Sequence, residues 1–254
     1  MKRLFSVKVF KILIVLFFNL KGKSLIAQTE VDEVLQFLKL NPAPEGTFGI
    51  LEEALINPDK VLYLHLAGRG LKEFPVEILK FKNLIRLNLA NNNITEIPSW
   101  IVKLTNLQKL EVRSNKLKNL PESVFYLPSL KELDLWGNQI NAFPHLSINK
   151  TIVLEDINLS MNKFNDLPES ILRLIHLRRL RLENNLFTRI PSVVFKMTKL
   201  EYLYLLHNRI YEFNIGSAIV SNLKGIDLAM NPISYKKVEE LKKLLPNCII
   251  STEL

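Results

Sequence analysis

Asparagine stands at positions 92, 115, 138, 162, 185, 208 and 231, a step of 23 residues interrupted once by a step of 24. A carboxamide brings two N–H donors and a carbonyl acceptor to one point. Set among leucines, that chemistry has one use: it satisfies backbone groups that would otherwise be buried unpaired at a cost. In the run Asn91–Asn92–Asn93 only Asn92 keeps the step, and its two neighbours fall at variable positions. Other reactive types do not gather. His65, His145, His176 and His207 lie far apart in the chain and read as surface residues. The eight glycines are scattered and form no phosphate loop, and G-x-S-x-G, H-E-x-x-H and C-x-x-C are all missing. No catalytic residue, metal site or cofactor is therefore expected, and an enzyme would need a nucleophile or metal cluster that the sequence does not offer. Cys248 is the single cysteine, so no intramolecular disulfide forms; it falls at a core-type position and reads as inert.

The elements that must carry the amides follow from the spacing around them. One unit reads Leu84, Leu87, Leu89, Asn92, Ile94, Ile97, Pro98, Ile101, Leu104, and the next Leu107, Leu110, Val112, Asn115, Leu117, Leu120, Pro121. Eight such units run from Val61, with Arg69 in place of the asparagine in the first. Leu87 and Leu89 are two apart, so on a strand they share a face and Asn88 and Ala90 point the other way. The chain then turns near Asn92, whose amide can bond backbone of its own turn and of the next unit. A unit of this size cannot bury its apolar face alone; stacking does so, and the ends need caps.

The pattern L-x-x-L-x-L-x-x-N-x-L-x-x-L-P resembles the leucine-rich-repeat family, in its 23-residue form with a Leu-Pro step, over roughly residues 61–250. The resemblance implies an α/β leucine-rich-repeat solenoid: a right-handed horseshoe with a parallel concave β-sheet, a helical N-cap and a C-terminal cap. The expected layout is a leader at 1–27, a helical cap at 28–60 with helices in 31–40 and 50–57, eight repeats at 61–233, and a cap at 234–254. In that last segment KKVEELKKLLPNCII predicts an amphipathic helix. Leu245, Cys248 and Ile250 then repeat the strand pattern 22 residues after Leu223, as a truncated ninth strand.

The family is one of binding modules that use the concave face, at the third, fifth and seventh positions of each unit. Those positions give an acidic group (Glu132, Asp134, Asp156), a basic group (Arg178, Arg179, Arg181), a strip of Tyr202, Tyr204 and Leu206, and Trp136 beside Arg113. Exposed Trp, Tyr and Arg are enriched in interface hot spots, which nominates Arg113, Trp136, Arg179, Arg181, Tyr202 and Tyr204 as partner-binding. The bland alternative is that the acidic and basic strips pair with each other across strands. Eight strands spaced near 4.8 Å span roughly 35 Å, which suits a protein or an extended peptide as partner.

The first 27 residues are basic, then apolar over ILIVLFF, then end in LIA before Gln28. They resemble a secretory signal peptide cleaved after Ala27, too short in its apolar part for a stable membrane span. The whole chain carries +9; six of those charges (Lys2, Arg3, Lys8, Lys11, Lys21, Lys23) sit on the leader, so the remainder carries +3. So small a charge does not call for nucleic acid or an anionic membrane. Leader, cap and LP-type repeats together look like exported bacterial leucine-rich-repeat proteins. The expectation is a monomeric, non-catalytic binder, secreted or at the cell surface, with the periplasm as a further address and host adhesion as the role the resemblance suggests. The competing reading, if the leader stays on, is an intracellular regulatory scaffold for a small GTPase or phosphatase.

Overall fold

The computed structural model describes residues 44–147, 151–215 and 222–252, nearly all within the compact unit Gly46–Leu254. The leader and the helix expected at 31–40 lie outside the described residues.

Ten strands form one parallel sheet. They are β1 (Thr47–Phe48), β2 (Tyr63–His65), β3 (Arg86–Asn88), β4 (Lys109–Glu111), β5 (Glu132–Asp134), β6 (Asp156–Asn158), β7 (Arg179–Arg181), β9 (Tyr202–Tyr204), β11 (Gly225–Asp227) and β12 (Ile249–Ser251). From β2 to β11 each repeat adds one strand beside the last, and the register is the sequence period: Leu64, Leu87, Leu110, Leu133, Ile157, Leu180, Leu203 and Ile226 stand in line. All are buried. Strands of three residues suffice because the parallel partner on either side continues the hydrogen-bond ladder beyond each end, as in Leu89 N–H to Glu111 O and Leu135 N–H to Asn158 O.

Opposite the sheet, the Leu-Pro step opens a 3-10 turn. Prolines 75, 98, 121, 168 and 191 hold extended backbone immediately before turns at Val76–Lys80, Ser99–Lys103, Glu122–Tyr126, Glu169–Arg173 and Ser192–Lys196. Proline's fixed φ suits that entry, and its missing N–H is not needed there. Five residues are too few for a stable α-helix, and the tighter spiral returns the chain to the next strand within the period. The core lies between the two layers: Leu71 and Ile233 in the end units are only partly covered, while Leu89, Ile94 and Ile101, with their equivalents in the inner units, are sealed from solvent, and Phe81, Phe125, Phe164, Phe187 and Phe195 are buried among them. Each such side chain contributes about 1.5–3 kcal/mol on burial.

The ladder asparagines are buried, from 5% exposed at Asn185 to 8% at Asn138 and Asn162, with Asn231 at the end of the row half-exposed. Asn138 donates to Leu135 O and Trp136 O of its own unit and to Val112 O of the unit before, and its Oδ1 accepts from Leu117 N–H at 3.0 Å. Asn92, Asn115, Asn162, Asn185, Asn208 and Asn231 repeat the arrangement. The link runs backwards, to the preceding unit, rather than to the next one as the sequence reading has it. Arg69, in the asparagine's place, reaches back with its guanidinium to Gly49 O at 2.7 Å.

Both ends differ from expectation in detail. Thr47–Phe48, inside the stretch read as a connector between helices, is the edge strand β1 and pairs with Tyr63 and Leu64. The helix foreseen over 50–57 is the single turn α1 (Leu51–Ala54) followed by a 3-10 turn at Pro58–Lys60; the ring of Pro58 keeps Asn57, at φ −136°, out of the α region. At the other end α2 (Tyr235–Leu244) is the amphipathic helix expected, with Ser234 as N-cap and Val238 and Leu241 buried. The strand after it is shifted: Ile250 pairs with Ile226, a step of 24, not 22, and Cys248 lies just before β12. Leu245 and Cys248 are spent closing the end of α2, where the Cys248 amide bonds Leu245 O. Half-buried there, the Cys248 thiol is pushed up to about 11 by burial, so the reactive thiolate is scarce at neutral pH. A second, two-stranded parallel sheet joins β8 (Arg189–Ile190) to β10 (Glu212–Phe213). No described helix is long and apolar enough to cross a membrane.

Candidate functional site: the open face of the sheet

The outward positions form three rows. The strand register aligns Tyr63, Arg86, Lys109, Glu132, Asp156, Arg179, Tyr202 and Gly225 in one row, and His65, Asn88, Glu111, Asp134, Asn158, Arg181, Tyr204 and Asp227 in the next. The seventh positions, Arg113, Trp136, Ser160 and Glu183 among them, follow where the chain leaves the sheet. Much of this face is engaged with itself. Asn88, Asp134, Asn158 and Asp227 each turn a side-chain oxygen onto the N–H two residues ahead, at 2.9–3.1 Å. These short polar residues therefore fix the strand exit.

Arg179 and Arg181 do not stand free. Both hold Asp156 on the adjacent strand: Arg179 Nε donates to Oδ2 at 2.6 Å, and Arg181 Nη1 donates to Oδ1. Asp156 is only 8% exposed, a buried carboxylate that needs both cations. Its hydrogen bond and charge hold the Arg179 guanidinium above its ordinary pKa. Arg181 also lies over the Tyr204 ring, 5.7 Å from its centre. Lys109 pairs with Glu132 at 3.0 Å. The acidic and basic groups are thus cross-strand neighbours, and of the six nominated residues two are committed to an internal ion pair.

The remaining four are differently placed. Tyr202 is 37% exposed and lies against Gly225, where an added Cβ would come within 3.2 Å of the ring. Tyr204 is half-buried under Arg181. Trp136 is 39% exposed. It shares with Arg113 an open hollow of about 300 Å³ that Asn91, Ser114, Asp134 and Asn158 complete. The sequence reading did not join Asn91, Ser114 and Asn158 to this group. The signal was the register: Asn91 and Ser114 occupy the eighth position, next to the outward seventh. It also missed that Ser160 donates its hydroxyl to the Glu183 carboxylate beside Trp136's row. Burial raises the Glu183 pKa above the usual carboxylate value, although Ser160, its own backbone N–H and Arg181 oppose the shift. Among the described residues no cluster of His, Cys, Asp or Glu could hold a metal ion.

A sheet built one strand per repeat, buried amides linking the units, and an open polar-aromatic face define a leucine-rich-repeat solenoid. The chain belongs to the leucine-rich-repeat family: the model of a leucine-rich repeat region matches residues 33–146 and that of a leucine-rich repeat matches residues 152–210. Among solved structures it is similar to a leucine-rich-repeat protein of Leptospira interrogans, at 35% identity and a TM-score of 0.57, over 76% of this chain and 43% of that one. It also shares its fold with an internalin of Listeria monocytogenes, at 21% identity and a TM-score of 0.60, over 83% of this chain and 59% of that one. This chain thus spans about half the length of either. No curated protein matches it. The fold is that of a protein-interaction module.

Proposed function

We propose that this chain is an exported, monomeric, non-catalytic binding protein, secreted or held at the cell surface, that takes a protein partner on the open face of its sheet. Host proteins are the partner class this reading favours, and nucleic acid is not among its ligands. The observation that carries it is the pair of large aromatic side chains, Trp136 and Tyr202, left over a third exposed on a face where Lys109, Glu132, Asp156, Arg179 and Arg181 are paired internally. Exposed aromatics of that kind dominate interface energies when a partner covers them. Arg113 supplies a cation without an ion pair among the described residues, and Arg179, Arg181 and Tyr204 supply the rigid floor. The bacterial, leucine-rich-repeat character of the similar structures supports export.

Two measurements test the reading. N-terminal sequencing of the protein recovered from its natural source should begin at Gln28; a retained leader would favour the intracellular scaffold instead. Trp136→Ala with Tyr202→Ala should leave a chain that still unfolds cooperatively with an unchanged circular dichroism spectrum, and weaken binding to a captured partner at least about tenfold. Unchanged affinity would move the docking surface elsewhere. Arg181→Glu is a poor probe, because it would set a second carboxylate against Asp156.

A further inference from the structure

The hollow around Trp136 is more specific than a docking surface requires. Its six residues bring a set of hydrogen-bonding groups without described partners around one space. The Arg113 guanidinium has no ion pair among the described residues. Asp134 uses Oδ1 on the Trp136 N–H, at 3.1 Å, and keeps Oδ2 free. Asn158 uses its Oδ1 on Ser160 N–H and keeps both amide hydrogens. The side chains of Asn91 and Ser114 bond no described residue. Against this polar rim stands the indole of Trp136, which makes no ring contact with a described residue, whereas Trp100 is packed edge-on against Phe74 at 6.3 Å. One cation and one anion cancel, so the site has no bias toward a charged ligand.

We infer that the Trp136 hollow is a binding site for a neutral pyranose sugar. A pyranose has one apolar C–H face and a rim of hydroxyls, each both donor and acceptor. The C–H face covers the exposed indole, and the rim meets Asp134 Oδ2 as acceptor and Asn158, Asn91 and Arg113 as donors, with Ser114 able to do either. An aliphatic side chain of a protein would cover the indole but leave those groups desolvated and unpaired, at about 1–3 kcal/mol each. About 300 Å³, open on one side, suits a single ring and lies at the small end of the roughly 300–1,000 Å³ range of small-molecule sites. The inference deepens the reading of this face by naming a glycan on the partner as one thing it grips, and it rests on that face being open.

The test uses the methyl glycosides of galactose, mannose and N-acetylglucosamine, titrated into the full chain labelled with nitrogen-15, following the two indole N–H signals. At least one glycoside should shift the Trp136 signal saturably, with Kd near about 1 mM, equivalent to about 4 kcal/mol, while the Trp100 signal stays still. Asp134→Asn keeps the turn-capping oxygen and removes the charged acceptor; it and Arg113→Ala should each weaken binding about tenfold, or about 1.4 kcal/mol, with both indole signals otherwise unmoved. Three results overturn the inference: no saturable shift with any of the glycosides, an equal shift with glycerol at matched hydroxyl concentration, or undiminished affinity in both variants. A protein partner lost on Trp136→Ala with Tyr202→Ala, but no glycoside bound, would reject the sugar site and leave the docking face standing.

Discussion

The residue before each ladder asparagine bends the chain the left-handed way. Asn91, Ser114, Met161, Asn184, His207 and Met230 have φ between 53° and 57°, and Gly68 and Gly137 complete the row at 68° and 67°. Side chains other than glycine cost about 1–2 kcal/mol there; glycine gives back about 0.4–1 through the looser unfolded chain. Met161 is exposed and packs little, so Met161→Gly should raise the urea midpoint, by up to about 1 kcal/mol of stability, while Gly137→Ala should lower it by a similar amount. The ladder itself was legible, because asparagine recurs in step; the row beside it was not, because methionine, serine and histidine hide a positive φ that glycine and asparagine at other repeats would have betrayed. At the ladder, Asn138→Ala strands the Leu117 N–H and should cost about 1–3 kcal/mol. Asn138→Asp, though equal in shape, should cost at least as much, since a carboxylate would face Val112, Leu135 and Trp136 carbonyls. Glu183 gives a pH signature. Its folded pKa is raised, so the fold binds its proton more tightly than the unfolded chain. Its favourable contribution is complete below the ordinary carboxylate pKa and is lost as pH rises through the raised value. Glu183→Gln, which can still accept from Ser160, should therefore melt higher than the parent at pH 8 and lose that advantage toward pH 4; a gap independent of pH would reject the assignment.

At the scale of elements, what the period dictates was readable and what closes the ends was not. The main-sheet strands from β2 to β11 fall where Leu-x-Leu predicts them, because alternation on a sheet leaves a leucine one way to be buried. The turns opposite are 3-10 and not α, a choice made by the number of residues between proline and the next leucine. The small β8–β10 pair has no counterpart in the other repeats among the described residues; Arg189–Ile190 precedes Pro191 as in any Leu-Pro step, whereas Glu212–Phe213 is followed by Asn214 where the proline would stand. The C-terminal register was misjudged by two residues because α2 stands in for a whole 3-10 turn and needs Leu245 and Pro246 to come back to the sheet. Which site residues touch was legible only as rows: the cross-strand alternative for Arg179 and Arg181 could be stated from sequence, but its geometry depends on Asp156 being buried. Helix α2 closes the stack with Leu241, wholly buried. Leu241→Ala should cost about 2–5 kcal/mol, and amide exchange should quicken first in β11 and β12.

The unit Gly46–Leu254 carries a row of like parts in which each strand of the main sheet pairs only with its neighbours. Stability in such a stack is a sum of weak units and strong interfaces, so the place of a defect decides what is measured. Removing Leu241 side-chain atoms loosens one end, and the units left behind still have all their other interfaces. The same loss at Leu133, in the middle of the sheet and buried against β4 and β6, weakens the interfaces that couple one half to the other. Both changes remove a buried leucine and should cost alike, about 2–5 kcal/mol if unfolding stays all-or-none. They should differ in shape. Leu241→Ala should shift the denaturation curve with its slope nearly kept, since slope reports the surface exposed in one step. Leu133→Ala should flatten it, because the halves Gly46–Glu111 and Asp156–Thr252 can then open separately, and fluorescence of Trp100 should part company with circular dichroism. Coincident curves from both probes in Leu133→Ala would mean that the interface between neighbouring units holds without that leucine, carried by the asparagine row, whose bonds reach the preceding unit at every step.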